Sequence, residues 1–517
     1  MPLIKIIISR NVELLPIFFQ SLPSILIATI ILTSFGFIFF KKKQLNAFTA
    51  IISFYLGTSL LVLLFSVSFF ILPNPILISK FLIAGIILIS GLQLYLKRKK
   101  LALIVKQFLK NKIQLIMSLL VIFLITMLLH NFTFKNGLHD EYFHHSVLTT
   151  FFQTNNQSFQ YNDVQINKSY HVGLYYLVIA LKISLKIPIE QALDLSKLVL
   201  IMPSPILIYV FLRKYFKLDF LKSWLTTLAA LFSGPSLFLL DQYTRNFFNH
   251  LSNPLLQQSI FFDLAGLTWH GLLFSIVFIL FWWLVFKNKI KLSGLQIIVF
   301  LLISITSLYL INRLFFGVYI VNLSLLGFLK LSKKGFLKNR FLIPYALLFL
   351  LMVAFIYAQF FSHQRIDLGS KFYIRSGNNW GFPFQNQDTI DFFKITDLRG
   401  ILKQFGLIWL WSLLLIIVNL IKRKKQSLVY LFLINILFFP FLCYFLGFLS
   451  QGSSLALNKL LRLGYFFEII AISYYGYIVS ENKTVRLFTT LLLIFSLTPI
   501  LYFSSVDLSG LQRPWIE

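Results

Sequence analysis

Long apolar runs recur from one end of this chain to the other and limit its fold more than any other feature. Many extend for about 18 residues or more, the length that an α-helix needs to cross the hydrocarbon core of a bilayer. Of the 517 residues, 58% are hydrophobic and only 12% are charged, and the mean hydropathy is +0.81. The sequence therefore predicts an all-α polytopic membrane protein.

Clusters of lysine and arginine follow many of these runs, for example at 41–43, 97–100 and 330–340. Basic loops stay on the cytoplasmic side, so the clusters predict the orientation of the chain in an inner membrane. The net charge of +30 lies in these clusters and not in a separate basic domain, which argues against nucleic acid as a partner. About fourteen crossings are then predicted, near residues 15–40, 46–72, 76–96, 113–130, 190–212, 222–240, 262–285, 294–311, 314–330, 341–361, 401–420, 427–449, 461–480 and 486–504.

Two long polar loops, 131–171 and 362–400, are predicted to face the extracytoplasmic side. Of the 17 acidic residues, only Asp219 and Glu481 fall in the predicted cytoplasmic loops, so the polar chemistry is expected on the outer side. The segment 172–186 is apolar but short and contains two lysines, and we expect an interfacial helix there. The sequence has no GxxxxGK[ST] loop, GxGxxG fingerprint or CxxC pair, which argues against ATP hydrolysis, dinucleotide binding and a thiolate metal site.

The densest cluster of titratable groups is HDEYFHH, residues 139–145, in the first outer loop. In a helix, Asp140 and His144 are neighbours one turn apart, as are Glu141 and His145. A carboxylate at the edge of a membrane cavity and beside an imidazole suits a general base that takes a proton from an alcohol. The same residues also fit a helix cap with interfacial salt bridges, or a divalent metal site that lacks a defined third ligand.

An apolar helix, this Asp-Glu pair and then YHVGLYYLVIAL, residues 170–181, follow one another in the chain. The arrangement resembles the GT-C superfamily of membrane glycosyltransferases, and most of all its protein O-mannosyltransferase and aminoarabinose-transferase branch. The resemblance implies that Asp140 is the catalytic carboxylate and that Glu141 is its partner. It also implies that His171, with Tyr170 before it, helps to shape the donor and acceptor site.

The chain is expected to depart from the pattern of this superfamily in three respects, one of which is the absence of the large soluble C-terminal domain that some members have. The Pro-Pro of the second motif is Val172-Gly173 here, and three predicted helices precede the helix that would be the first in the family. The predicted organisation is therefore a three-helix extension at 1–112, a catalytic membrane core at 113–330 and C-terminal helices at 331–517.

The resemblance further implies a sugar donor linked to polyprenyl phosphate, an acceptor hydroxyl on a glycan, lipid or protein, and no cofactor. Glu141 with His144 or His145 would then orient the acceptor or hold the base, and cations would face the leaving phosphate. The candidates on the predicted outer side, together with one acid inside a nearby helix, are Arg245, Arg313, Arg365, Lys371, Arg375, Lys459, Arg462 and Glu468.

Each of these cations also fits simple anchoring at the membrane interface, where lysine and arginine reach toward headgroups. A transporter or flippase of lipid-linked sugar is an alternative function, although transporters commonly have inverted repeats and broken helices. A polymerase or ligase of surface glycans is a second alternative, and it would move the key residues to Arg365 and Arg375.

Overall fold

The computed structural model of the protein describes residues 15–72, 74–109, 116–123, 139–154, 160–161, 164–165, 172–232, 270–331, 398–421, 426–438 and 455–497. The helices are α1 (Leu15–Gly36), α2 (Ala47–Ile71), α3 (Pro75–Leu109), α4 (His139–Thr154), α5 (Tyr175–Leu185), α6 (Ile189–Ile201), α7 (Pro203–Phe211), α8 (Phe220–Phe232), α9 (Gly271–Phe286), α10 (Gly294–Ile311), α11 (Arg313–Leu331), α12 (Leu398–Ile421), α13 (Gln426–Leu433), α14 (Leu455–Ser473) and α15 (Lys483–Phe495). Short 3₁₀ turns lie at Phe37–Phe39 and Lys42–Gln44, and π-helical turns at Leu212–Phe216, Ile434–Phe438 and Tyr474–Val479. Strands β1 (Gln160–Tyr161) and β2 (Val164–Gln165) form one antiparallel pair.

Five helical stretches in the described part of the chain are long and apolar enough to cross a membrane, and several shorter apolar helices accompany them. The five are Phe18–Phe39, Ala47–Phe69, Pro75–Lys106, Ile189–Phe216 and Gly294–Ile311. The prediction of a helical protein is thereby confirmed, and these helices have the length and composition that a membrane crossing requires. The number of about fourteen crossings, the type of membrane and the orientation stay predictions.

Predicted and observed helix ends agree at α10, which has an N-cap. The predicted crossing 294–311 coincides with α10, whose N-terminus is capped by Ser293 through its hydroxyl and the backbone N–H of Gln296 at 3.3 Å. The predicted crossing 76–96 is shorter than α3, which continues to Leu109, because lysine and arginine end a membrane span without ending a helix. The predicted crossing 341–361 lies outside the described residues.

The chain forms two compact units that alternate along the sequence. The first unit consists of Leu15–Leu207 and Gly266–Gly369, and the second of Met1–Leu14, Ile208–Ala265 and Ser370–Glu517. The three predicted segments, in contrast, are each continuous in sequence. The roles assigned to them stay predictions.

Close backbone contact joins α1 and α2 in the first unit. A Cβ atom on Gly36 would lie 1.8 Å from the carbonyl oxygen of Ser53, and one on Gly57 would lie 2.0 Å from that of Leu32. Small residues allow such close packing between apolar helices, where lipid gives no hydrophobic driving force. Across α2 and α10, the buried hydroxyls of Ser59 and Ser307 hydrogen-bond at 3.0 Å.

Helix α5 differs from the interfacial helix predicted at 172–186. Its first seven residues, Tyr175 to Leu181, are all buried, whereas a helix that lies on a surface leaves one face exposed. It packs against α2, α3 and α6. Other helices therefore surround its N-terminal half, and its depth relative to a membrane stays a prediction.

In the second unit, α8 packs against α14 and α15. The ring of Tyr209 stacks on that of Trp224 with centroids 4.5 Å apart. Thr226 donates its hydroxyl to that of Ser473 at 3.0 Å, and the indole of Trp409 donates to the carbonyl of Ile436 at 2.8 Å. These bonds satisfy polar groups that would be costly to bury alone.

Candidate functional site

The HDEYFHH cluster forms the first two turns of α4, which begins at His139. The prediction that this stretch is helical is confirmed. Acidic residues in a first turn interact favourably with the backbone N–H groups that have no partner inside the helix, which favours a start at this point. The structure gives the positions of Asp140 and Glu141 on the helix, and their side chains are outside the described part.

His144 is held by α5. Its side chain is 1% exposed, and its Nδ1 lies 2.6 Å from the hydroxyl of Tyr175, which is fully buried at the start of α5. The two rings meet edge to face with centroids 5.5 Å apart. A buried imidazole and a buried phenol each need a hydrogen-bond partner, so this contact is costly to break.

His145 is held by α6. Its Nε2 lies 2.6 Å from Oε1 of Glu190, in the first turn of α6. The side chains of this pair are 18% and 32% exposed, so both are largely shielded from solvent. If the imidazole is protonated, the contact is a charge-assisted hydrogen bond, which is stronger than a neutral one. The sequence reasoning missed both Tyr175 and Glu190.

The two histidines together determine how α4 is rotated about its own axis. Consecutive residues of a helix point about 100° apart, and here they bind two different helices, α5 and α6. Asp140 and Glu141 precede His144 and His145 by one turn, so each acid lies on the helix about 40° from its histidine. The face that carries the Asp-Glu pair therefore has a defined direction within the first unit.

Apolar contacts hold the rest of α4. Val147, Leu148 and Phe151 have no exposed surface. The ring of Phe151 stacks on that of Phe69 with centroids 5.7 Å apart. Burial of three large apolar side chains stabilises the position of the helix by several kcal/mol, at about 1.5–3 kcal/mol for each.

A charged face runs along α6. Glu190, Asp194 and Lys197 are spaced i, i+4 and i+7, which places them within an arc of about 60° on the helix. Lys197 has no exposed surface, and its amine lies 3.5 Å from the carboxylate of Asp194. The spacing is visible in the sequence IEQALDLSKLVLI and could have been detected there as three ionisable residues on one face of an apolar helix.

Gly173 packs closely against the end of α10. Its backbone N–H donates to the carbonyl of Leu310 at 3.0 Å, in the last turn of α10. A Cβ atom at this position would lie 2.9 Å from the carbonyl carbon and oxygen of Leu310. Proline lacks the backbone N–H that makes this bond, and the carbonyl of Leu310 leaves no space for its ring. A Pro-Pro motif would therefore require a rearrangement of the backbone here.

The other predicted site residues are described only in part. Tyr170, His171, Arg245, Arg365, Lys371 and Arg375 lie outside the described residues. Arg313 begins α11, and Lys459 and Arg462 lie in the N-terminal half of α14, each with its backbone described and its side chain not.

Glu468 lies in α14, in the second unit, and is 2% exposed. The described residues provide no ion-pair partner for it. Arg462 precedes it by six positions, which places the two about 120° apart around the helix and about 9 Å apart along its axis. Helix geometry thus does not favour an ion pair between these two residues, and the side chain of Arg462 is not described.

The described residues contain no group of three or more His, Cys, Asp or Glu side chains that could hold a metal ion. The side chains of 139–143 and 170–171 lie outside the described residues, so the divalent-metal alternative stays a prediction. Comparison with protein families, curated proteins and solved structures finds no match to this chain.

Proposed function

We propose that this chain is a membrane glycosyltransferase of the GT-C type. In this proposal it moves a sugar from a polyprenyl-phosphate donor to an acceptor hydroxyl on the extracytoplasmic side of the inner membrane. Asp140 is the general base. The observation that carries the proposal is the attachment of α4 to two helices through His144 and His145, because a general base must be held in a fixed position relative to its substrate.

The proposed reaction is a displacement at the anomeric carbon. The acceptor oxygen forms a bond to this carbon while the bond from the carbon to the phosphate oxygen breaks, through an oxocarbenium-like transition state. The carboxylate of Asp140 takes the hydroxyl proton as the new bond forms. Polyprenyl phosphate is the leaving group.

The neighbours of Asp140 have positioning roles in this proposal. His144 and His145 each use one ring nitrogen to bind a neighbouring helix, and they thereby hold the turn that carries the base. Glu141 orients acceptor hydroxyls, and His171 with Tyr170 lines the donor and acceptor site, as the family resemblance implies.

The leaving phosphate needs a cation where its charge develops. By residue type and predicted side, Arg462 is the first choice and Arg375 the second. A guanidinium donates two parallel hydrogen bonds to a phosphate, which an ammonium cannot do. Arg462→Lys should therefore weaken use of the donor, and Arg462→Ala should nearly abolish it. If Arg462→Ala keeps full activity and Arg375→Ala loses it, Arg375 has this role.

The decisive experiment uses the full-length protein in lipid vesicles with a panel of synthetic short-chain polyprenyl-phosphate sugars. Release of polyprenyl phosphate is measured with and without candidate acceptors. Asp140→Asn preserves the shape of the side chain but cannot accept the proton, so turnover should fall about 100-fold or more. The amount of protein and its melting temperature should hardly change.

Two variants are the controls. Glu141→Gln should reduce turnover less than Asp140→Asn does, and Glu481→Gln, at an exposed position between α14 and α15, should not reduce it. Near wild-type turnover by Asp140→Asn would exclude the proposed role of this residue. Transbilayer movement of an intact labelled donor, without release of polyprenyl phosphate, would instead support the flippase alternative.

A further inference from the structure

Two basic segments are joined at one end of the first unit by a pair of glutamines. The Gln44 amide donates to the carbonyl of Lys291 at 2.7 Å, and the Gln296 amide donates to the carbonyl of Phe39 at 2.8 Å. The two amides also hydrogen-bond each other at 3.2 Å. These bonds hold the exposed lysines 41–43 beside the loop that contains Lys291.

A third basic segment, residues 97–100 within α3, reaches the same place. Lys97 is only 8% exposed, and its amine donates to the carbonyl of Phe37 and to Oε1 of Gln93, the latter at 2.7 Å. The bond to Phe37 brings the exposed residues 98–99 to the end of the unit where the lysines 41–43 lie. We call the exposed cations at 41–43, 98–99, 289 and 291 the basic end.

The basic end has no acid of its own. The stretches 14–139 and 264–366, which contain all of its residues, include no Asp or Glu. In the described part of the first unit, Glu190 and Asp194 are acids with described side chains, and each pairs with a histidine or lysine elsewhere. Like charges held close together repel one another, so the basic end favours a negatively charged partner from outside the chain.

If Pro75–Lys97 is the part of α3 that crosses the membrane, the basic end lies at the level of lipid headgroups. From Pro75 to Lys97 the helix rises about 33 Å, close to the 30 Å thickness of the hydrocarbon core. Phe81, Leu88 and Leu92 are 71%, 73% and 55% exposed. At 100° per residue these three lie with Lys99 within an arc of about 40°. An exposed apolar stripe therefore leads along α3 to an exposed cation.

We infer that the basic end binds the phosphate headgroup of an anionic phospholipid, with an acyl chain along the apolar stripe of α3. Basic residues that only set topology need no common location, whereas here hydrogen bonds bring three segments together. A soluble phosphate would contact the cations of the basic end but not the apolar stripe of α3. The inference concerns a lipid site, and it is independent of the proposed sugar transfer.

The test is native mass spectrometry of the full-length protein in detergent with added phosphatidylglycerol. Lys42→Gln/Lys99→Gln/Lys289→Gln removes one cation from each of the three segments. Each cation near an anionic surface contributes roughly a fivefold factor in affinity, so binding should weaken by at least about tenfold. Phosphatidylcholine should bind weakly to all forms of the protein.

The matched control is Lys214→Gln/Lys217→Gln/Lys483→Gln, which removes the same charge from exposed lysines of the second unit. Phosphatidylglycerol binding by this control should stay within about twofold of the wild type. A second variant, Gln44→Ala/Gln296→Ala, retains every charge but removes the bonds between two of the segments, and it should also bind more weakly. Melting temperatures and size-exclusion profiles show whether each variant is folded.

Three results would overturn the inference. Equal losses in the two triple variants would mean that only overall charge attracts the lipid. Wild-type binding by the folded Gln44→Ala/Gln296→Ala variant would mean that the joined segments do not form a site. Binding of glycerol phosphate with the affinity of phosphatidylglycerol would mean that the partner is a soluble phosphate.

Discussion

The two units of the protein bury charge in different ways. In the first unit, α6 carries Glu190, bonded to His145, and Asp194, 3.5 Å from the amine of Lys197. In the second unit, α14 carries Glu468, which is 2% exposed and has no ion-pair partner among the described residues. Helix α6 and residues 463–473 of α14 are largely apolar and buried.

This difference separates positioning from a candidate functional role. A buried ion pair is held in one geometry, and its charges partly offset the cost of removing each other from water. An ionised carboxylate buried without a cation has no such compensation, so it is rare unless it has a function. The ionisable side chains of α6 are best interpreted as groups that hold α4 and α6 in place. Glu468 is instead a candidate for a direct role in the function of the protein.

The largest effect is expected at Lys197. Lys197→Met leaves Asp194 buried without its cation, which should lower the free energy of unfolding by about 3–5 kcal/mol. Adding Asp194→Asn should restore most of this loss, which unfolding in detergent measures. The control is Lys182→Met, at a half-buried lysine over the ring of Phe152, where the change should be under about 1 kcal/mol. If Lys197→Met is as stable as this control, the pair of Asp194 and Lys197 does not stabilise the first unit, and the contrast with Glu468 fails.

A smaller loss is expected at Glu190. Glu190→Gln weakens the bond to His145 and should lower the free energy of unfolding by about 1–2 kcal/mol. If this bond positions α4, the transfer rate should fall while the KM for the donor changes little. A double-mutant cycle with His145→Gln should give a coupling energy above about 0.5 kcal/mol. Independent effects of the two substitutions would show that the bond does not couple α4 to α6.

Asp219, an exposed carboxylate in the second unit, should contribute to stability in a pH-dependent way. Desolvation alone would raise the pKa of Asp219, but hydrogen bonds from Lys222, and the charges of Lys222 and Arg213, lower it below the ordinary value of 3.8. A folded-state pKa that is lowered adds stability above the ordinary pKa, and this stability is lost as the pH falls through the folded-state value.

Asp219 also accepts the backbone N–H of Lys222 at 2.9 Å near the start of α8, so it acts as an N-cap. Asp219→Ala should cost about 1 kcal/mol at pH 7. The difference from the wild type should shrink below pH 3.8, which melting curves at several pH values can measure. A difference that does not depend on pH would show that the charge of Asp219 contributes nothing.

The smallest effect on stability is expected at Glu468. Glu468→Gln has almost the same shape and removes the possibility of a buried negative charge, so the free energy of unfolding should change by no more than about 0.5 kcal/mol. Glu190→Gln, the same substitution at a paired position, is the control. A clear loss of stability in Glu468→Gln would show that the carboxylate of Glu468 has a bonding partner. The two units would then bury charge in the same way. Loss of activity without loss of stability would support a direct role.

The helices of this protein are predictable from sequence to a large degree, and the contacts of the candidate site are not. Ser293 and Asn46 mark the starts of α10 and α2 because a cap acts on a backbone N–H two or three residues away. The i,i+4 relation of Asp140 to His144 is local in the same way. Tyr175 and Glu190 lie 31 and 45 residues from their histidine partners, and no local pattern predicts those pairings.

By itself the sequence determined the helical membrane class, the ends of some helices such as α10 and the helical start of the HDEYFHH stretch, because hydrophobic length, caps and periodicity act over a few residues. Only the tertiary structure decided that His144 binds α5, that His145 binds α6, and that three basic segments meet at one end of the first unit. Those contacts depend on which helices pack together. In an apolar chain, almost every helix offers a similar surface, so a few small residues and buried polar bonds select the neighbours.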